Sequence, residues 1–137
     1  MVTIFAYKQV LDYLLEHGFV VTFRDHPLKD NNGNDIFRKG FGWITNRRGG
    51  KKIADVEIIW QNDYHNVGLS KEENTLDWKK VLGEYIEESS FKTVDEWIEV
   101  IKKLNKGKIP ARGYLYRVEI LKLYVEPKAI LVITFDI

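Results

Sequence analysis

The chain reads as an α+β domain, and three observations lead there. An amphipathic helix passes across a single glycine into a short apolar strand. Two further apolar runs flank a glycine-rich basic turn. Helical periodicity then separates these from a second group of β-rich segments near the C-terminal end. Strands at both ends with helices inserted between them argue for α+β rather than an alternating βαβ order. A small, partly closed β-barrel would let the late strands pair with the early ones and cover exposed edges.

Each element has a local reason. Tyr7, Val10, Leu11, Leu14 and Leu15 recur at three- and four-residue steps, which predicts a helix over Ala6 to His17, and Gly18 stands where a C-cap belongs. Phe19 to Phe23 is the first predicted strand, closed by Arg24. His26 to Gly40 contains Pro27 and the run Asn31-Asn32-Gly33-Asn34-Asp35, so it reads as a long exposed loop of the kind that more often serves function. Phe41 to Asn46 and Lys52 to Trp60 form a predicted hairpin about the Arg47-Arg48-Gly49-Gly50 turn. Gln61 to Ser70 is polar and reads as a loop. Glu72 to Glu88 carries helical anchors at Leu76, Val81, Leu82, Tyr85 and Ile86. Thr93 and Glu96 have capping-box spacing, which predicts a helix from Val94 to Leu104 with an apolar face of Val94, Trp97, Ile98 and Ile101. Asn105 to Pro110 breaks that helix. Tyr114 to Tyr124 and Ala129 to Phe135 are the final predicted strands, joined by a turn at Pro127-Lys128.

At 137 residues a single domain spanning 1–137 is expected, long enough to bury a core. With 45% apolar and 30% charged residues the composition excludes a disordered chain. No run of about 18 apolar residues is present, so no membrane-spanning helix is expected. A secretory signal pattern is lacking as well, which makes a cytoplasmic location the expectation. The absence of cysteine excludes disulfides, thiolate metal ligands and cysteine nucleophiles.

The formal net charge of +1 hides a strong asymmetry. Residues 24–52 hold eight Lys/Arg and three Asp, whereas residues 53–101 hold four Lys and twelve Asp/Glu. Residues 102–137 return to eight Lys/Arg and three Asp/Glu. If the two basic segments meet in space they make one cationic face; otherwise the charges are separate solvated groups. Thr22 and Arg24 are two apart and so share one face of a strand. There Arg24 either grips a phosphate with its fork or pairs with a carboxylate such as Asp25 or Glu57. Lys29, Arg38 and Lys39 on the loop, and Arg47, Arg48, Lys51 and Lys52 at the hairpin tip, are candidate contacts to a nucleic-acid backbone, which would give affinity without sequence reading. Phe37, Phe41 and Trp43 interleave with those cations and are either stacking platforms for bases or core. Trp78 and Trp97 are expected to anchor the helical segment. Asp63 and His65 have loop spacing compatible with a metal but supply only two ligands, so no metal and no cofactor are expected. His26 or His65 would need a second acid or base to run ribonuclease chemistry.

Four stretches resemble the ASCH domain family, of the PUA-like superfamily of RNA-associated β-barrels. They are the glycine followed by Thr22-Phe23-Arg24, the strand Lys51-Lys52-Ile53-Ala54-Asp55-Val56-Glu57-Ile58, the segment Phe91-Lys92-Thr93-Val94-Asp95-Glu96-Trp97, and the strand Tyr114-Leu115-Tyr116-Arg117-Val118-Glu119. The resemblance runs from about residue 5 to residue 122. It implies a PUA-like barrel and binding of RNA or a modified nucleotide in a cationic cleft walled by the first helix, the first strand and the Pro27 to Gly40 loop. It also implies, as an alternative, nucleoside amidohydrolase or ribonuclease activity. The catalytic lysine of the amidohydrolases falls at Phe19 here, which leaves Thr22 and a glutamate such as Glu57. A third reading, from the charge pattern, is a protein-interaction module that uses the acidic helices.

Overall fold

A computed structural model of the chain describes residues 2–4, 7–65, 79–110 and 112–124. Five strands form one sheet: β1 (Val2–Ile4), β2 (Phe19–Arg24), β3 (Lys39–Thr45), β4 (Ala54–His65) and β5 (Arg112–Leu123), in the spatial order β1-β3-β4-β5-β2. β1 runs parallel to β3, and the other pairs are antiparallel. The late strand β5 therefore lies between β4 and the early strand β2, as expected. The architecture is α+β, and among the described residues the sheet is open, with β1 and β2 at its edges. The predicted strand from Ala129 to Phe135 lies outside the described residues, as do Trp78 and the first half of the predicted helix from Glu72.

Helix α1 (Lys8–His17) ends at Gly18, whose φ of 82° lets its N–H close on the Leu14 carbonyl at 2.8 Å. Helical residues 79–85 (α2) run into a 3₁₀ turn at Ile86–Glu88, and α3 (Val94–Leu104) follows. The Thr93 hydroxyl accepts from the Glu96 N–H at 3.1 Å, so the predicted cap forms. Among the described residues no helix is long and apolar enough to cross a membrane.

Strand alternation splits the apolar residues into two cores. On the inner face Val20, Ile44, Ala54, Val56, Ile58, Tyr116 and Val118 pack against Leu11, Leu14 and Leu15 of α1. On the outer face Val21 and Leu115 pack against Leu82, Phe91, Trp97, Ile98 and Ile101, so α2 and α3 cover only the β2–β5 side of the sheet. Register places Phe41, Glu57, Glu119 and Phe19 in one outer row across β3, β4, β5 and β2, with Trp43, Asp55 and Lys122 in the next.

Two local expectations change. The residues Gln61 to His65 continue β4 instead of forming a loop, because past a bulge at Gln61 the residues Asn62 to His65 pair with Leu115 to Arg112 of β5. The segment from His26 to Gly40 is a folded plug. Leu28 and Ile36 are buried in the inner core, and the Ile36 N–H bonds to the Leu28 carbonyl at 2.8 Å. Asp30 Oδ1 accepts from the Asn32 and Asn34 amides, which holds the tip around Gly33 at φ 80°. Gly40 is where β3 passes over this plug. A Cβ there would stand 2.8 Å from Ile36 Cδ1 and 3.1 Å from Asp30 Cβ. Gly40→Ala is expected to destabilise the fold by about 1–3 kcal/mol, the usual range for overpacking. A lowered urea midpoint with unchanged m-value checks this, and an unchanged midpoint refutes it.

Candidate functional site

One cleft of about 340 Å³ opens where the end of β2, the start of α1 and the apolar face of α3 meet. Its walls are aromatic. Phe91 and Trp97 stack with ring centroids 5.9 Å apart and planes at 21°, and the Tyr7 ring lies 6.2 Å from Phe91. Val100, Ile101 and Leu104 extend the α3 wall toward Pro110. Helix periodicity explains the wall: Trp97, Ile98 and Ile101 turn one face inward, while Leu104, a turn further on, remains 68% exposed at the mouth. Gln9 ties α1 to the start of α3, since its amide donates to the Ser90 carbonyl at 2.7 Å and to Glu96 Oε1 at 3.2 Å. The two main walls are thereby held in register.

The polar part of the cleft comes from β2 and the residues just after it. Thr22, Arg24, Asp25 and His26 line it, with Asn105 on the α3 side. Burial pulls the Arg24 guanidinium down to about 10, partly offset by Asp25, so it remains a cation at neutral pH. His26 Nδ1 lies 2.5 Å from Asp25 Oδ1 on the exposed rim. An apolar cleft edged by aromatic rings with a cation at one end can seat one face of a planar ring and hold an anionic substituent beside it.

The structure gathers only part of the predicted cationic site here. Thr22 and Arg24 reach the cleft. The Pro27 to Gly40 loop, expected as a wall, instead plugs the inner core, and α3 supplies the wall in its place. Lys29 pairs with Asp35 at 2.8 Å, and Lys39 with Glu57 at 3.4 Å. Arg38 is exposed before β3. Arg47, Arg48, Lys51 and Lys52 sit on the β3–β4 turn at the other end of the sheet. Arg24 pairs with Tyr114, which pairs with Asp63 on β4; the turn joins that strand at Ala54. At about 3.3 Å per residue this puts the turn about 30 Å from Arg24, too far for one pocket. Lys52 pairs with Asp55 at 3.0 Å. The Tyr124 hydroxyl also bonds to Asp55, holding that carboxyl below its ordinary value and pushing the phenol above its own.

The residues left for amidohydrolase chemistry are not brought together. Thr22 pairs with Tyr116, whose β4 partner is Trp60, on the inner face; Glu57, three residues away on β4, points to the outer face. At Phe19 the ring carries the Arg117 guanidinium at 4.1 Å, and Arg117 in turn bonds to Glu119 and Glu88. Among the described residues no group of three or more His, Cys, Asp or Glu is placed to hold a metal ion. The side chains of Asp63 and His65 lie outside the described set. The aromatic walls were missed as a site in the sequence, where Trp97 and its neighbours register only as core. The available signal was an aromatic pair, Phe91 and Trp97, astride a helix cap. No protein-family model, curated protein or solved structure matches the chain.

Proposed function

We propose that this chain is a nucleotide-binding domain of the ASCH, PUA-like type that takes a base of RNA or a free modified nucleotide into the aromatic cleft. The observation that carries the reading is the cleft itself: about 340 Å³, walled by the stacked Phe91–Trp97 pair and Tyr7, with Arg24 at one end. That volume is in the range of small-ligand sites, and aromatic faces are the usual seat for an unstacked base. In this reading Arg24 meets the phosphate and the Asp25–His26 rim meets the sugar or the base edge. The small, partly closed PUA-like barrel belongs to the same proposal. Opposite-face placement of Thr22 and Glu57 gives the amidohydrolase alternative no geometric support.

Calorimetric titration with 5′-mononucleotides and with the matching nucleosides tests the reading. A charge-assisted hydrogen bond contributes about 1.5–3 kcal/mol, so Arg24→Gln is expected to weaken nucleotide binding by about 10–150-fold and nucleoside binding far less. Absence of binding by any nucleoside, nucleotide or short RNA to the wild-type protein at millimolar concentration would end the proposal. Turnover of an acylated cytidine that Thr22→Ala abolishes would move the protein to the enzyme class.

A further inference from the structure

The outer face of the sheet has a second surface that the cleft does not explain. Among the described residues, α2 and α3 cover its β2–β5 side and no helix packs on the β3–β4 side. There Phe41 is 50% exposed and Tyr124 45% exposed, with the half-buried Trp43 two residues from Phe41 on the same face. Lys52 Nζ lies 5.6 Å from the Trp43 ring centroid and 5.1 Å from that of Tyr124, and Lys122 Nζ lies 5.1 Å from Tyr124. The β3–β4 turn projects from this edge with Arg47, Arg48 and Lys51 exposed, and among the described residues these three make no ion pair.

We infer that this face is a platform for single-stranded nucleic acid, with unpaired bases stacking on Phe41 and Tyr124 and the phosphate chain running along the turn. Charge complementarity selects a polyanion. Lys39, Lys52 and Lys122 with the three turn cations stand against Asp55 and Glu57, and those carboxylates are already engaged by Lys52, Tyr124 and Lys39. Glu119 is likewise taken up by Arg117. The exposed rings select single strands, because a duplex keeps its base faces stacked and out of reach. An acidic protein would use the cations but leave the rings without a matching partner. The turn stands about 30 Å from Arg24 along the strands and Phe41 about 17 Å, with β4 and β5 between β3 and β2, so the inference does not depend on the cleft.

Anisotropy titrations with a labelled oligouridylate and with its duplex, each at two salt concentrations, test it. Three or four displaced counterions predict a log–log salt slope of about −2 to −3 for the single strand. Phe41→Ala with Tyr124→Ala is expected to weaken single-strand binding at least about tenfold with the slope unchanged. Arg47→Gln with Arg48→Gln and Lys51→Gln is expected to flatten the slope instead. All five positions are exposed, and thermal melts confirm that the variants fold. Equal affinity for duplex and single strand, or unchanged affinity in the aromatic variant, overturns the inference. Competition by polyglutamate as strong as by RNA at equal charge also overturns it, in favour of an acidic protein partner.

Discussion

Trp97→Ala is expected to cost about 3–5 kcal/mol of folding stability and to abolish binding in the cleft. The indole is 2% exposed, stacks on Phe91 and belongs to the core that fastens α3 to the outer face of β2 and β5. Its removal leaves a cavity that α3, capped at Thr93 and tied to α1 through Gln9 and Glu96, cannot collapse without breaking those contacts. For a domain of this length the loss corresponds to a melting temperature lowered by roughly 10–15 °C. Trp97→Phe separates stability from function. It keeps an aromatic face against Phe91 while removing the larger ring from the cleft wall, so stability falls less than affinity does. Measured melts and nucleotide titrations on both variants check this. A Trp97→Ala protein that melts within about 2 °C of wild type would show that α3 is not fastened through this side chain.

The parts of the fold legible in the sequence are those whose cause is local. Thr93 and Glu96 sit three residues apart and make the predicted cap, and Gly18 takes the left-handed conformation that its position between a helix and a strand requires. β5 is legible because its β-formers Tyr114, Tyr116, Val118 and Ile120 recur at every second residue. What is not legible depends on contacts between distant residues. Tyr7, Phe91 and Trp97 converge only once α1 and α3 are both docked at the end of β2, and singly each looks like core. The cationic residues look like one site along the chain because they fall within thirty residues or so. Strand order separates them, since β4 and β5 stand between β3 and β2. β1 carries too few residues to show a period, and its pairing with β3 is parallel and non-local. The end of β4 hides for a different reason: Gln61 and Asn62 have no apolar alternation, and beyond the bulge at Gln61 the strand is held by the backbone ladder from Asn62 to His65 with β5.

The plug between β2 and β3 shows how a polar-looking segment becomes structural, and it carries the second large expected effect. Tyr116 is fully buried at the centre of the inner core. Its hydroxyl accepts the Leu28 N–H at 3.2 Å and donates to the Ile36 carbonyl at 2.8 Å, so one side chain of β5 clamps both arms of the plug. Tyr116→Phe keeps the ring but strands a buried N–H and a buried carbonyl, at a cost of about 1–3 kcal/mol. Tyr116→Ala adds the cavity of a deleted ring and is expected to reach about 3–5 kcal/mol. The two variants differ in where the loss appears. In Tyr116→Phe the sheet retains its packing, so the effect is expected to concentrate in the plug as faster hydrogen exchange at the Leu28 and Ile36 amides. Because Arg24, Asp25 and His26 lead directly into the plug, loosening it also frees the polar end of the cleft, and nucleotide affinity is expected to fall although no residue of the cleft is altered. Amide exchange and titration on Tyr116→Phe test both steps. Unchanged exchange at Leu28 and Ile36 would remove the clamp, whereas faster exchange with wild-type affinity would show that β2 holds Arg24 in place without it.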